Sequence, residues 1–252
     1  MNCEIDKLLI LAIDIAKKTK QHIWKNVEHG RSVKNNNGRD VKLIADFESD
    51  SFIVKQLTNN STFPIISEES GKTNFDNKNC NDYYWIIDPL DGSFNFSREI
   101  PMACISISLW KENSPIIGVV LDVNRDELFY ASIKGAYLND KKITVSTVNI
   151  KNQSVLCTGF PIATNFNDHS INNVLKNIQH FKKIRLLGSA ALSLSYVACG
   201  RAEVYMEQDI RIWDVAAGLA LVKFAGGKIK FNATSNETTL KVIASNGHIE
   251  DL

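Results

Sequence analysis

Much of what this chain could be is excluded by what its sequence does not contain. The five cysteines, Cys3, Cys80, Cys104, Cys157 and Cys199, are odd in number, widely scattered and never spaced as CxxC. That argues against a disulfide framework and a cysteine-built zinc centre, leaving free thiols in a reducing cytoplasm as the expectation. The five histidines (His22, His29, His169, His180 and His248) form neither HxxxH nor HExxH, so a histidine zinc site is not expected either. No run of about 18 apolar residues occurs, so no membrane span is expected. Glu4, Asp6, Lys7 and Asp14 interrupt the first apolar stretch, which is therefore not read as a signal peptide. Neither sign of charge is in excess. A net charge of +1 gives no basic surface for nucleic acid, so an anionic substrate must be attracted locally, by bound cations or helix N-termini. No GxGxxG follows a strand, no GxSxG occurs, and Gly71-Lys72-Thr73 lacks the first glycine of a P-loop, Ile66 standing in its place.

What is present fits a globular chain of 252 residues, 44% hydrophobic and 23% charged. Ile5, Leu8, Leu9, Ala12, Ile13 and Ala16 recur at helical spacing and predict a helix from about Glu4 to Val27. The polar stretch from Glu28 to Asp40 reads as a loop, and a second helix begins near Ile44 or Ala45. Phe63–Ile66 and Tyr83–Ile87 read as strands ending in acidic residues. Ala103–Trp110, with Ile105, Ser106, Ile107 and Ser108 alternating, reads as a half-exposed strand. Strands at Ile116–Val123 and Glu127–Ser132, a turn at Gly135–Asp140 and a strand at Lys141–Val145 follow. After about residue 150 the pattern alternates strand and helix, with helices at Asn167–Phe181, Ser189–Cys199 and Trp213–Phe224. The expectation is an α+β half over residues 1–150 and an α/β half over 151–252, forming one integrated unit.

The densest chemical signal is Trp85-Ile86-Ile87-Asp88-Pro89-Leu90-Asp91-Gly92-Ser93-Phe94-Asn95-Phe96. An apolar strand delivers Asp88 at its C-terminal end, and Pro89 is expected to stop the ladder there so that Asp88 and Asp91 converge. Gly92 permits close backbone approach to an anion, while two carboxylates and an intervening carbonyl suit a hard cation such as Mg²⁺. Taken alone, such a segment is an ordinary turn. Ser67-Glu68-Glu69-Ser70 also follows a strand, though an isolated acidic pair is usually a solvated loop. Asp214, in Trp213-Asp214-Val215-Ala216-Ala217-Gly218, has the ordinary position of a cap or first-turn residue. Asp46 favours its helix dipole and could also pair with the Ser93 hydroxyl. Gly188-Ser189-Ala190 is a plain helix start or a phosphate or hydroxyl contact.

Together these segments resemble the inositol monophosphatase family of lithium-sensitive carbohydrate phosphatases. The matches are the Glu68-Glu69 pair, Asp88 to Phe96, Gly135-Ala136-Tyr137-Leu138-Asn139, and Trp213 to Gly218 with Gly226-Gly227. The resemblance implies a layered α-β-α-β-α sandwich and a cytoplasmic homodimer. It implies two to three Mg²⁺ ions held by Glu68, Asp88, the Leu90 carbonyl, Asp91 and Asp214. Asp46, Glu68 and Ser93 would orient and activate the attacking water, with Gly92 and Ser93 backbone groups on the phosphate. The chain departs from the family pattern at Ser93, often Thr there, at Leu43, where a Thr is usual, and at Phe224, often Glu.

For substrate, the Ser-Phe-Asn-Phe run resembles the inositol and fructose-bisphosphate branches more than the 3′,5′-bisphosphate nucleotidases. Glu207, seven residues before Asp214, stands where inositol monophosphatases place an acid that accepts a sugar hydroxyl. Arg185 and Arg211 could serve a second phosphate. Inositol monophosphate is the favoured substrate and fructose 1,6-bisphosphate the runner-up. A non-catalytic regulatory member of the family is the reading from another class.

Overall fold

The computed structural model describes residues 2–37, 40–75, 83–160, 178–234, 238–250 and 252. Helix α1 (Asn2–Lys25) turns Ala12, Ile15, Ala16 and Ile23 inward, as its spacing requires. A helical turn, α2 (Val27–Gly30), leads to strands β1 (Val33–Asn37) and β2 (Asp40–Leu43). These pair antiparallel, so the loop expected from Glu28 to Asp40 is corrected. Backbone pairing holds this hairpin, and its Lys- and Asn-rich sequence carries no apolar alternation that would have announced it. Helix α3 (Ile44–Asn60) follows directly and buries Ile53 and Leu57.

Eight strands form the larger sheet: β3 (Ile65–Ser67), β4 (Gly71–Thr73), β5 (Tyr83–Asp91), β6 (Cys104–Lys111), β7 (Ser114–Asp122), β8 (Leu128–Ser132), β9 (Gly135–Leu138) and β10 (Lys141–Ile143). Their order is β10-β9-β8-β7-β6-β5-β3-β4, antiparallel except for the β3–β5 pair. The turn expected at Gly135–Asp140 is instead mostly strand β9, in which Tyr137 stacks on Tyr130 of β8. Successive side chains of β5 face opposite ways. Trp85 and Ile87 pack with Ile15 of α1 and Ile53 of α3, whereas Ile86 joins the core on the other face.

That second face carries two helices, α5 (Ala190–Ala198) and α6 (Ile212–Phe224), while the short α4 (Ser93–Ser97) follows β5. Gly218 lets α6 meet α5: a Cβ there would lie 2.4 Å from Leu194 Cβ, which accounts for the small-residue surface read from Ala216-Ala217-Gly218. Beyond these helices lies a five-stranded sheet, ordered β12-β11-β13-β15-β14. Its strands are β11 (Val155–Thr158), β12 (Lys183–Arg185), β13 (Val204–Arg211), β14 (Lys228–Ala233) and β15 (Thr239–Ser245). The architecture is mixed α/β as expected; among the described residues it shows the layers α-β-α-β, and the central apolar cluster draws residues from both sides of position 150. The helix expected at Asn167–Phe181 falls largely outside the described residues; Ile178 and Phe181 pack beside Leu156, Val204 and Ile249.

Strand β6 is not half-exposed. Ser106 and Ser108 face α6, and the Ser108 hydroxyl lies 2.6 Å from the Ile117 carbonyl and 3.2 Å from that of Ala216. A serine satisfied by backbone oxygens can occupy a buried face, so its polarity mimics a solvent-facing pattern. No described helix is long and apolar enough to cross a membrane. Cys104, Cys157 and Cys199 are free thiols.

Candidate active site

Strands β3 and β5 run parallel with Ser67 opposite Ile87, so Glu68, just past the end of β3, lies beside Asp88 of β5. The Glu68 N–H donates to the Ile87 carbonyl at 3.3 Å, holding the two together. Pro89 does not stop the ladder as expected. Asp88 pairs with Ser106 and Asp91 with Cys104, so one extra residue bulges out of β5 while the strand continues to Asp91. A bulge absorbs the N–H that proline lacks and re-aims the side chains around it. Asp214 arrives from the first turn of α6, across the layer boundary.

One carboxylate oxygen each from Glu68, Asp88 and Asp214 lies within 4.8 Å of the others. The Asp88 Oδ1 accepts the Leu90 N–H at 3.0 Å, tying this group to the bulge. Burial, together with the charges of Glu68, Asp91, Asp214 and Asp46, raises the Asp88 carboxyl well above the usual carboxylate range. Burial first, then Asp91, Glu68 and Glu207, does the same to Asp214. One buried and two half-buried carboxyls that repel one another and offer only oxygen donors fit a hard divalent cation, whose charge would offset the repulsion.

Asp91 stands beside this group with one oxygen already engaged. Its Oδ2 accepts the Ser189 hydroxyl at 2.7 Å and the Ala191 N–H at 2.8 Å, with the Cys104 thiol at 3.9 Å. Burial outweighs these bonds and pushes Asp91 up to about 6. Ser189 is also the N-cap of α5, accepting the Leu192 N–H at 3.2 Å, so the helix start read at Gly188-Ser189-Ala190 is present and its hydroxyl is tied to Asp91.

Asp46 joins the hairpin to the turn after β5. Its Oδ2 accepts the Leu43 N–H at 2.5 Å, a third-position acid reaching back to its helix start, and Ser93 Oγ lies 2.6 Å from its Oδ1. Burial pushes Asp46 up to about 7 despite both hydrogen bonds. Leu43, which departs from the family pattern, thus contributes a backbone donor and a fully buried side chain.

Gly92 (φ 87°) leaves no room for a side chain: a Cβ would lie 2.5 Å from the Met102 carbonyl. Gly188 is equally constrained, because its Cβ would meet the Asn95 amide at 2.7 Å. That amide reaches the carbonyls of Leu187 at 2.8 Å and Met102 at 2.9 Å. Asn95 therefore clasps the turn that carries Ser93 to the segment that carries Ser189. It stood in the sequence motif without an assigned role.

Glu207 accepts the Tyr205 hydroxyl at 2.8 Å and packs on Gly159, where a Cβ would lie 2.6 Å from its carboxylate. Burial pushes Glu207 up to about 7. The basic candidates lie elsewhere. Arg185 is exposed on edge strand β12 and donates to the Ile184 carbonyl, and Arg211 reaches Thr238 at 3.3 Å and stacks over Trp213. Reading by sequence missed Lys42 entirely: its ammonium lies 3.3 Å from Glu68 and 2.5 Å from Glu69. A lone lysine in a polar stretch gives no signal of such a position.

Comparison with known proteins places the chain in a family. The model of the inositol monophosphatase family matches residues 4–250. The inositol-1-monophosphatase of Synechocystis sp. is 37% identical over 218 residues, covering 83% of this chain and 74% of that protein. Nus factor SuhB of Xylella fastidiosa is 40% identical over 193 residues, covering 75% and 68%. The solved inositol monophosphatase of Anabaena (Nostoc) sp. superposes with a TM-score of 0.81 at 31% identity, covering 97% of this chain and 92% of that one. The fold, the acidic group at the ends of β3, β5 and α6's first turn, and a match over nearly the whole length lead to one conclusion: the chain belongs to the inositol monophosphatase family.

Proposed function

We propose that this chain is a Mg²⁺-dependent phosphomonoesterase acting on inositol monophosphate or a related sugar phosphate. The observation that carries the reading is the approach of Glu68, Asp88 and Asp214 within 4.8 Å, beside the Asp46–Ser93 pair. Glu68, Asp88, the Leu90 carbonyl, Asp91 and Asp214 would hold two to three ions. Bound there, Mg²⁺ supplies Lewis-acid chemistry, making water a better nucleophile and offsetting charge on phosphate and leaving oxygen. The chain's own residues do the rest. Asp46, raised to about 7, is suited to take a proton relayed through the Ser93 hydroxyl, and Glu68 lies close enough to the cluster to orient the attacking water. N–H groups at Gly92 and Ser93 are the candidates for the phosphate oxygens.

Glu207 is the proposed acceptor for a substrate hydroxyl, because it is half-buried and acts as a hydrogen-bond acceptor already. Ser189, with Gly188 and Ala190 around it, lines the same side as Asp91. Arg185 remains a candidate for a second phosphate only if its exposed side chain turns inward, which disfavours fructose 1,6-bisphosphate relative to a monophosphate. The two halves, 1–150 and 151–252, act as one catalytic unit in this reading, since Asp214 belongs to the second and the other metal carboxylates to the first. A cytoplasmic homodimer is part of the proposal.

Phosphate release with Mg²⁺ across inositol 1-phosphate, fructose 1,6-bisphosphate and adenosine 3′,5′-bisphosphate tests it, with Asp88→Asn as control. Inositol 1-phosphate should turn over fastest, and the variant should lose activity at least about a thousandfold. No release from any member of the panel would sink the enzyme reading. It would favour the second one, a regulatory member of the family, to which the name Nus factor of the Xylella relative points.

A further inference from the structure

Lys42 sits on β2, immediately before helix α3, and reaches across to the end of β3. Its ammonium lies 2.5 Å from Glu69 Oε1 and 3.3 Å from Glu68 Oε1. The two glutamates differ in what they can do with it. Glu69 is tucked away, its side chain only 4% exposed, whereas Glu68 is 27% exposed and faces Asp88 and Asp214. The short bond to Glu69 anchors the lysine, and the longer one lends its charge to Glu68. An ammonium has three N–H donors and no acceptor, so it can occupy carboxylate lone pairs but cannot share in binding a cation.

We propose that Lys42 is a built-in counter-cation of Glu68, which a divalent ion must displace and then tolerate as a fixed positive neighbour. It would keep the carboxylate group compact without metal and weaken binding at the Glu68 end of the site. The inference rests on the metal reading above, and concerns how firmly this chain holds its ions. A lysine serving only Glu69 would leave ion binding unchanged when neutralised.

Calorimetric titration of the chelator-stripped protein with Mn²⁺ and Mg²⁺ separates these cases. Lys42→Met and Lys42→Gln should bind about tenfold tighter, or take up one more ion, because a positive charge a few ångströms from the ion is removed. Lys42→Arg should bind as the parent does. The glutamine keeps an N–H donor for Glu69, so it reports even where the methionine variant folds poorly. Melting in chelator gives the opposite sign: both neutral variants should unfold at lower temperature than the parent without metal. Equal or weaker ion binding in the folded neutral variants overturns the proposal. No divalent binding by the parent protein overturns the metal reading itself, and this inference with it.

Discussion

Ser93 Oγ lies 2.6 Å from Asp46 Oδ1 and 2.7 Å from the Leu90 carbonyl. One hydroxyl proton cannot serve both oxygens, so Ser93 either donates to the acid or to the turn. The geometry is that of a switchable link between a carboxyl raised to about 7 and a carbonyl proposed to face an ion. Ser93→Ala should therefore lower kcat about a hundredfold to ten-thousandfold, the usual worth of a positioned acid–base relay. Ser93→Thr, which keeps the hydroxyl, should retain most activity, and Asp46→Asn should resemble the alanine variant. Steady-state rates at saturating substrate and Mg²⁺ decide this; an active Ser93→Ala enzyme would remove Ser93 from the relay.

Asn95 holds the two halves of the site by donating to carbonyls on both sides. Asn95→Asp replaces those donors with lone pairs facing Met102 and Leu187 oxygens. A loss of about 1–3 kcal/mol is expected, which for a chain of this size lowers Tm by about 2–4 °C per kcal/mol. The rate constant kcat should fall further than stability alone explains, because Ser93 and Ser189 would lose their common frame. Thermal melts beside kinetics at a temperature where both proteins are folded test the point.

Without metal, burial raises Asp46 and Glu207 to about 7 and Asp91 to about 6. In the unfolded chain such groups ionise near about pH 4. A carboxyl raised in the folded state contributes stability that is fully present below its unfolded pKa and lost as pH rises through its folded one. Chelator-treated protein should thus be more stable near about pH 5 than near about pH 8, losing stability progressively from about pH 4 and levelling off above about pH 7. A divalent cation needs the deprotonated carboxylates, so saturating Mg²⁺ should protect most at the higher pH. Denaturant midpoints at both pH values, with chelator and with Mg²⁺, provide the comparison. A chelator-treated protein equally stable at both would mean the carboxyls are not raised as described.

Short-range chemistry was legible in the order of residues. Trp85-Ile86-Ile87 before Asp88 marked a buried strand ending in an acid, and Ile44 or Ala45 marked a helix start to within a residue. Small residues at Ala216-Ala217-Gly218 announced close packing of α6. Polarity misled where burial was satisfied by the backbone, as at Ser106 and Ser108, and where pairing needed no apolar pattern, as in the β1–β2 hairpin. Pro89 looked like a stop because a ladder cannot use its nitrogen, yet a bulge accommodates it.

By itself the sequence determined which groups are available: Glu68, Asp88, Asp91 and Asp214 as oxygen donors, Asp46 and Ser93 as a possible relay. Each was an ordinary turn or cap residue when considered alone. Only the tertiary structure decided that β3 lies parallel to β5, that α6 brings Asp214 across from the second half, and that Lys42 meets Glu68. Proximity between residues separated by 20 to 146 positions depends on strand pairing and layer packing, which no local pattern encodes.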